Sequence, residues 1–185
     1  AKFTMEETMA WVAIQQLINE WGAELDANNG LNIGDLVTED CAYTVRGIER
    51  KSRDEVKAFY AGRLAEFPDG PPVQRHAQTN LVVNFTSTDA ANIAFTLIYF
   101  TTAIVAAGAS EADPCAVADV KMQARRCDDG HWRISMMDSV QSLVRKFGEP
   151  PNWVERDFAA CTKAACKSPS PERFNALPMP MATSA

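Results

Sequence analysis

The hydrophobic period of this chain changes from mainly helical to strand-like at the turn-forming run Pro68-Asp69-Gly70-Pro71-Pro72, and that change orders most of what the chain can build. Before it, apolar residues recur at helical spacing; after it, segments rich in β-branched and aromatic residues follow one another at strand length. Helices first and strands afterwards specify an α+β fold, with the helices packed on one face of a curved, mostly antiparallel sheet.

The local signals fill in that frame. Thr4 followed by Glu7 is a capping box, and Trp11, Ile14, Ile18, Trp21 and Leu25 continue as one stripe until Asn28-Asn29-Gly30 stops the helix. A short helical piece around Asp35 to Val37 leads into a strand over Ala42 to Val45, and Gly47 marks the next turn. Ser52 and Glu55 repeat the capping pattern for a helix that ends near Phe67. Strands are expected over Leu81 to Thr86, Ile93 to Val105, Val117 to Arg126 and Trp132 to Leu143. Thr88-Asp89-Ala90 and Asp128-Asp129-Gly130 are hairpin turns, and Ala106 to Pro114 is a longer loop of small residues. From Gly148 onward six prolines break the chain around one short helix, Trp153 to Lys167. The expected organisation is one domain over residues 1–147 and a Pro-rich extension over 148–185.

Charge and cysteine usage narrow the partners. Eighteen basic against 24 acidic residues leave a net charge of −6, which repels phosphate backbones and anionic membrane surfaces. Arg46, Arg50, Lys51 and Arg53 do cluster, but Glu49, Asp54 and Glu55 interleave with them, so nucleic acid is not an expected partner. No apolar run approaches the roughly 20 residues that span a bilayer, and Met5-Glu6-Glu7 is acidic where a signal peptide is basic. Five cysteines (Cys41, Cys115, Cys127, Cys161 and Cys166) at irregular spacing suggest neither a disulfide framework nor a metal site. The cytoplasm is the simplest location for such a chain.

Chemistry concentrates in two residues fifty positions apart. Asp26 lies at the end of the first helix, at the edge of its buried stripe, and His76 opens the run His76-Ala77-Gln78-Thr79-Asn80. If folding joins them, they form a general base and its orienter, able to abstract a proton without metal or cofactor. The other histidine, His131, sits in a hairpin turn and reads as solvated. Gly22, one turn before Asp26, leaves room for a close approach. Tyr43, Arg46, Tyr60, Arg75 and Tyr99 are the candidates for binding substrate and stabilising a developing oxyanion. Strand alternation sets a condition: Leu81, Val83 and Phe85 share one face, while His76 falls with Gln78 and Asn80 on the other. Either both faces are buried or His76 points away from the core. Unpaired, Asp26 reads as a helix-end cap and His76 as a structural imidazole.

The Leu25-Asp26 helix end, the His-x-x-Thr-Asn run and the late Asp129-Gly130-His131-Trp132-Arg133-Ile134 hairpin together resemble the SnoaL-like branch of the nuclear transport factor 2-like superfamily, over residues 8 to 145. Within it the chain is similar to cofactor-independent lyases: scytalone dehydratase, hexachlorocyclohexane dehydrochlorinase and the diarylpropane formaldehyde lyases. The resemblance implies a cone around an apolar pocket, a homo-oligomer (a trimer about the outer sheet face), and a dyad of Asp26 and His76 in which the histidine takes the proton. It also implies a small aromatic or apolar substrate and no cofactor. Two positions depart from the pattern. The dehydratase's second histidine is replaced near Tyr99 or Thr101, and the dehydrochlorinase's arginine by Met136 or Met137. The implied reaction is elimination, dehydration or retro-aldol loss of an aldehyde. An isomerase using the same dyad, or a non-catalytic ligand carrier or structural subunit, are the alternatives.

Overall fold

The structure is a computed structural model that describes residues 2–45, 47–67, 70–102 and 114–144. Arg46, nearly all of the expected Ala106 to Pro114 loop, and the extension from 148 onward with its expected helix lie outside the described residues.

Helix α1 (Met5–Asn28) starts as its sequence directs. Thr4 Oγ1 accepts the Glu7 N–H at 3.1 Å, and the Glu7 carboxylate accepts the Thr4 N–H at 2.7 Å. Ile14, Leu17, Ile18, Trp21 and Leu25 form its buried face, each contributing about 1.5–3 kcal/mol relative to exposure. The helix ends at Asn29, whose left-handed φ of 56° asparagine tolerates better than most residues. Gly30 follows at φ 80°, and a Cβ there would lie 2.5 Å from the Tyr60 ring. The turn that stops α1 is therefore also the seat of a core tyrosine.

A 3-10 turn, Ile33–Leu36, leads into β1 (Val37–Val45), which begins earlier than the expected Ala42, and β2 (Ile48–Arg50) folds back on it. Helix α2 (Arg53–Ala65) is capped by Ser52, whose Oγ accepts the Glu55 N–H at 3.2 Å. The Glu55 carboxylate accepts the Lys51 N–H at 2.7 Å, one residue outside the cap. Then come β3 (Gln74–Ser87), β4 (Ala90–Thr101), β5 (Ala116–Arg126) and β6 (Trp132–Val144). Among the described residues these strands form one sheet in the order β2-β1-β6-β5-β4-β3. All pairs are antiparallel except β1 with β6. That parallel pair is possible because α2 and β3 to β5 together serve as its crossover.

The sheet's register shifts within the β1/β6, β3/β4 and β5/β6 pairs, and such bulges bend a sheet and strengthen its twist. Its inner face presents Cys41 and Tyr43 of β1, Val83 of β3, Ile93, Phe95 and Leu97 of β4, Val120 and Met122 of β5, and Ile134 and Met137 of β6. These pack with the α1 stripe and with Val56 and Tyr60 of α2 as one core.

Candidate active site

Asp26 stands in the last turn of α1, where the helix dipole disfavours a negative charge and no basic residue offsets it. A helix end also leaves its final carbonyls without partners. Here Glu24 O accepts from Asn29 and Gly30, and Asn28 O accepts from Leu31 at 3.2 Å. Leu25 O is capped from outside the helix by the Gln74 side-chain amide. The same amide donates to Asn29 Oδ1 at 3.2 Å, and Gln74 Oε1 accepts the Tyr99 hydroxyl at 3.1 Å. Gln74 is 3% exposed, so it fastens the end of α1 to β3 and β4 from within the protein. Asp26 follows the capped residue, and His76 shares a strand face with the capping one.

The alternation problem raised by the sequence is resolved by one residue. Strand β3 starts at Gln74 rather than Leu81, so His76 lies within it. Between Thr79 and Val82 the register against β4 shifts by one residue, and Asn80 there takes a φ of 57°. That bulge reverses the parity of the strand. Gln74, His76 and Gln78 face the same side as Leu81, Val83 and Phe85, and they pair across β4 with Thr101, Tyr99 and Leu97. Neither of the two expected arrangements is needed.

His76 Nδ1 lies 2.7 Å from Asp26 Oδ1, and Asp26 Oδ2 accepts the backbone N–H of His76 at 3.1 Å. Both carboxylate oxygens are thus committed to one residue, which fixes the carboxylate relative to the ring. The side chains are 9% and 17% exposed for His76 and Asp26. Tyr99 lies against the imidazole at 4.7 Å between ring centres, and Trp21 meets it edge-on at 5.8 Å. One turn back on α1, Gly22 admits Gln78: a Cβ there would be 2.1 Å from the Gln78 amide nitrogen, which donates to Ile18 O at 3.4 Å. With Asp26 ionised, Nδ1 carries the proton and Nε2 presents a lone pair. Among the described residues no group is hydrogen-bonded to Nε2.

A second line of polar groups runs through the core beside this pair. Trp21 Nε1–H donates to the Tyr43 hydroxyl at 2.9 Å, and the Tyr43 and Tyr60 hydroxyls lie 2.8 Å apart. Burial pushes the Tyr43 phenol well above its ordinary range and the Tyr60 phenol up to about 12, so both stay protonated at neutral pH. Tyr43 is 0% exposed and has its oxygen occupied by Trp21, so its proton is best placed on Tyr60. Donation then runs Trp21 to Tyr43 to Tyr60, ending in the Tyr60 O–H.

The other expected residues divide. Tyr43, Tyr60 and Tyr99 face the interior, whereas Arg75 does not. Next to His76 on the strand, Arg75 points to the opposite face, is exposed, and donates to its neighbour's carbonyl, Gln74 O, at 2.6 Å. Arg46 lies outside the described residues. His131 is exposed in its hairpin. Sequence reasoning missed Gln74, whose position two before His76 was the available signal once the strand reached that far. It also passed over Arg50, which pairs across the hairpin with the buried Tyr43. Among the described residues no three His, Cys, Asp or Glu side chains gather as metal ligands, and no helix is long and apolar enough to cross a membrane.

Residues 6–138 match the SnoaL-like domain family. A scytalone dehydratase candidate from Novosphingobium aromaticivorans DSM 12444 superposes with a TM-score of 0.64 at 18% identity, covering 80% of this chain and 94% of that one. ActVI-ORFA from Streptomyces coelicolor gives a TM-score of 0.63 at 14% identity, covering 75% and 99%. A type 2 hexachlorocyclohexane dehydrochlorinase gives 0.59 at 18% identity, covering 80% and 97%. No curated protein sequence matches the chain.

Proposed function

Since the chain belongs to the SnoaL-like domain family of the nuclear transport factor 2-like superfamily, with the α+β fold its sequence led one to expect, we propose that it is a cofactor-independent lyase in which His76 is the general base and Asp26 its orienter. The observation that carries this reading is the pairing of both Asp26 oxygens with His76, at 2.7 and 3.1 Å. A histidine placed only for packing has no need of a carboxylate held against the helix dipole.

In the proposed reaction Nε2 takes a proton from carbon or from a hydroxyl of the substrate. The released electron pair expels halide, or hydroxide that leaves as water with the proton returned by the imidazolium, from the adjacent carbon, or it breaks a carbon–carbon bond and frees an aldehyde, the carbanion left behind taking that proton. Asp26 stabilises the imidazolium that forms, as a triad carboxylate does. A positioned base of this kind contributes about 10² to 10⁴ in rate. The Tyr60 hydroxyl, at the end of its donor line, is offered to developing negative charge; losing one such donor costs about 10² to 10³ in rate. Trp21, Phe95 and Tyr99 give the surroundings an aromatic character that suits a small aromatic or apolar substrate. The related structures named for dehydration and dehydrochlorination accord with elimination chemistry. Within the same proposal the protein is cytoplasmic and assembles as a homotrimer through the outer sheet face, where Val82 and Val140 are exposed, with residues 148–185 as a separate extension.

The test is mass spectrometry of wild type, Asp26→Asn and His76→Ala incubated in deuterated water with lignin-derived dimers, hydroxylated polyketides and halogenated rings. Loss of water, halide or formaldehyde that collapses in both variants is the expected result. Deuterium gain without mass loss makes the protein an isomerase, and equal turnover by wild type and His76→Ala removes the dyad from the mechanism.

A further inference from the structure

Arg50 closes the short strand β2 directly opposite Tyr43, so its side chain leaves the sheet on the inner face. It is half-buried, and its guanidinium lies over the Phe59 ring at 3.6 Å. Phe59 meets Tyr60 at 4.8 Å between ring centres, and Tyr60 is bonded to Tyr43. A continuous aromatic path therefore runs from Arg50 through Phe59, Tyr60 and Tyr43 to Trp21, which touches His76.

Arg50 combines this inward, half-buried setting with the lack of a counter-ion among the described residues. Three carboxylates on or beside its hairpin are engaged by Lys51 and Arg53. Lys51 pairs with Glu49 at 3.7 Å and Arg53 with Glu39 at 3.6 Å, while Glu55 accepts the Lys51 N–H. Among the described residues no carboxylate lies in ion-pair range of Arg50, although the chain carries six more acidic than basic groups. One of its five N–H groups goes to Ile48 O at 2.6 Å. Stacking on Phe59 fixes the plane of the guanidinium and leaves an edge free for two parallel hydrogen bonds to a carboxylate. Arg63, one turn along α2 from Tyr60, adds positive charge that, with that of Arg50, reaches the Tyr60 hydroxyl.

The geometry points to Arg50 as the anchor of an anionic subsite, which takes the carboxylate of an aromatic acid and directs its ring past the half-buried Phe59 toward the interior. This deepens the lyase reading by naming the substrate class, and it rests on that reading for the statement that the interior is a substrate site. A neutral aromatic compound gains the stacking without the ion pair, so an acid is preferred over its ester.

The experiment measures binding rather than turnover. Isothermal titration of the full chain with 4-methoxybenzoate and with its methyl ester compares wild type, Arg50→Gln, Arg50→Lys and His76→Ala, with circular dichroism melts as the folding check. Wild type is expected to bind the acid at least about tenfold more tightly than the ester. Arg50→Gln abolishes that preference and leaves the ester unchanged, Arg50→Lys retains part of it, and His76→Ala retains all of it. The proposal is overturned if wild type shows no preference for the acid, if no saturation occurs by about 10 mM, or if folded Arg50→Gln, or folded Arg50→Lys should the glutamine variant not fold, binds the acid as wild type does. Arg50-dependent binding without turnover of any acid would sustain the subsite and sink the lyase. His76-dependent turnover indifferent to Arg50 would do the reverse.

Discussion

Removing the Tyr43 hydroxyl is the sharpest way to weigh the polar line in the core. In Tyr43→Phe the Trp21 N–H loses an acceptor at 2.9 Å, and Trp21 is 2% exposed, so water cannot replace it. A buried donor left unsatisfied costs about 1–3 kcal/mol. Tyr60 loses its 2.8 Å partner as well, adding about 1 kcal/mol, so the expected loss is about 2–4 kcal/mol. Trp21→Phe removes the donor itself and leaves Tyr43 bonded to Tyr60; its cost is mainly that of the space left behind, about 2 kcal/mol. Combining the two substitutions erases the orphaned donor. The double variant should therefore lose less than the sum of the single losses, with a coupling of about 1–2 kcal/mol. Urea unfolding followed by far-ultraviolet circular dichroism at pH 7 measures all four corners of the cycle without relying on the altered tryptophan. A coupling below about 0.3 kcal/mol would refute the reasoning, because the pair would then contribute no more than two independent side chains.

Alkaline pH should attack the same region. Burial raises the Tyr60 phenol to about 12 when folded, against 10.0 when free. Because the folded value is the higher, the linked stability is whole below pH 10 and is lost as pH rises through 12, about 3 kcal/mol for this group. Urea midpoints taken from pH 8 upward should fall steeply above pH 10 in wild type and less steeply in Tyr60→Phe. At the β3 bulge, Asn80→Gly should change stability by a few tenths of a kcal/mol, whereas Asn80→Val should cost about 1–2 kcal/mol for the left-handed backbone. Deleting Asn80 should turn His76 out, seen as loss of the downfield Nδ1–H proton resonance; its persistence would contradict the parity argument. Gln74→Leu uncaps Leu25 O and strips the Tyr99 hydroxyl of its acceptor, at about 1–3 kcal/mol. Hydrogen exchange of the Asn28 and Asn29 amides should accelerate at least about tenfold if Gln74 holds that turn; unchanged exchange would reduce it to a packing residue.

The helices were legible because their signals are local: Thr4 with Glu7, Ser52 with the Glu55 amide, and Asn28-Asn29-Gly30 act within a turn of themselves. Asp26 and His76 stood out as residue types, and Gly22 announced a close approach that Gln78 makes. What escaped was parity. Gln74, His76 and Gln78 are polar residues facing inward, so hydrophobic alternation carries no mark of them, and β3 seemed to begin only where its apolar residues begin. A bulge adds a residue without a distinctive composition, and Asn80 is as ordinary in a loop as in a bulge. Arg75 was misplaced for the same reason, since its side follows from that of His76. Arg50 was judged by the company of its neighbours in sequence, whereas its setting comes from Tyr43 and Phe59, which reach it only in the fold.

The parallel seam between β1 and β6 also governs the order in which the molecule can be made. Strands β3 to β6 are joined in succession and can zip together locally, but β1 waits for a partner about 95 residues downstream, the kind of separation that slows folding. On the ribosome, at about 5–20 residues per second, β1 and the apolar face of α1 emerge several seconds before Trp132 to Val144 exist to cover them. A nascent chain halted short of Trp132 is thus one with its future base already synthesised and its core still open, and it is there that a chaperone, rather than the finished sheet, would have to shield Ile14, Ile18 and Trp21.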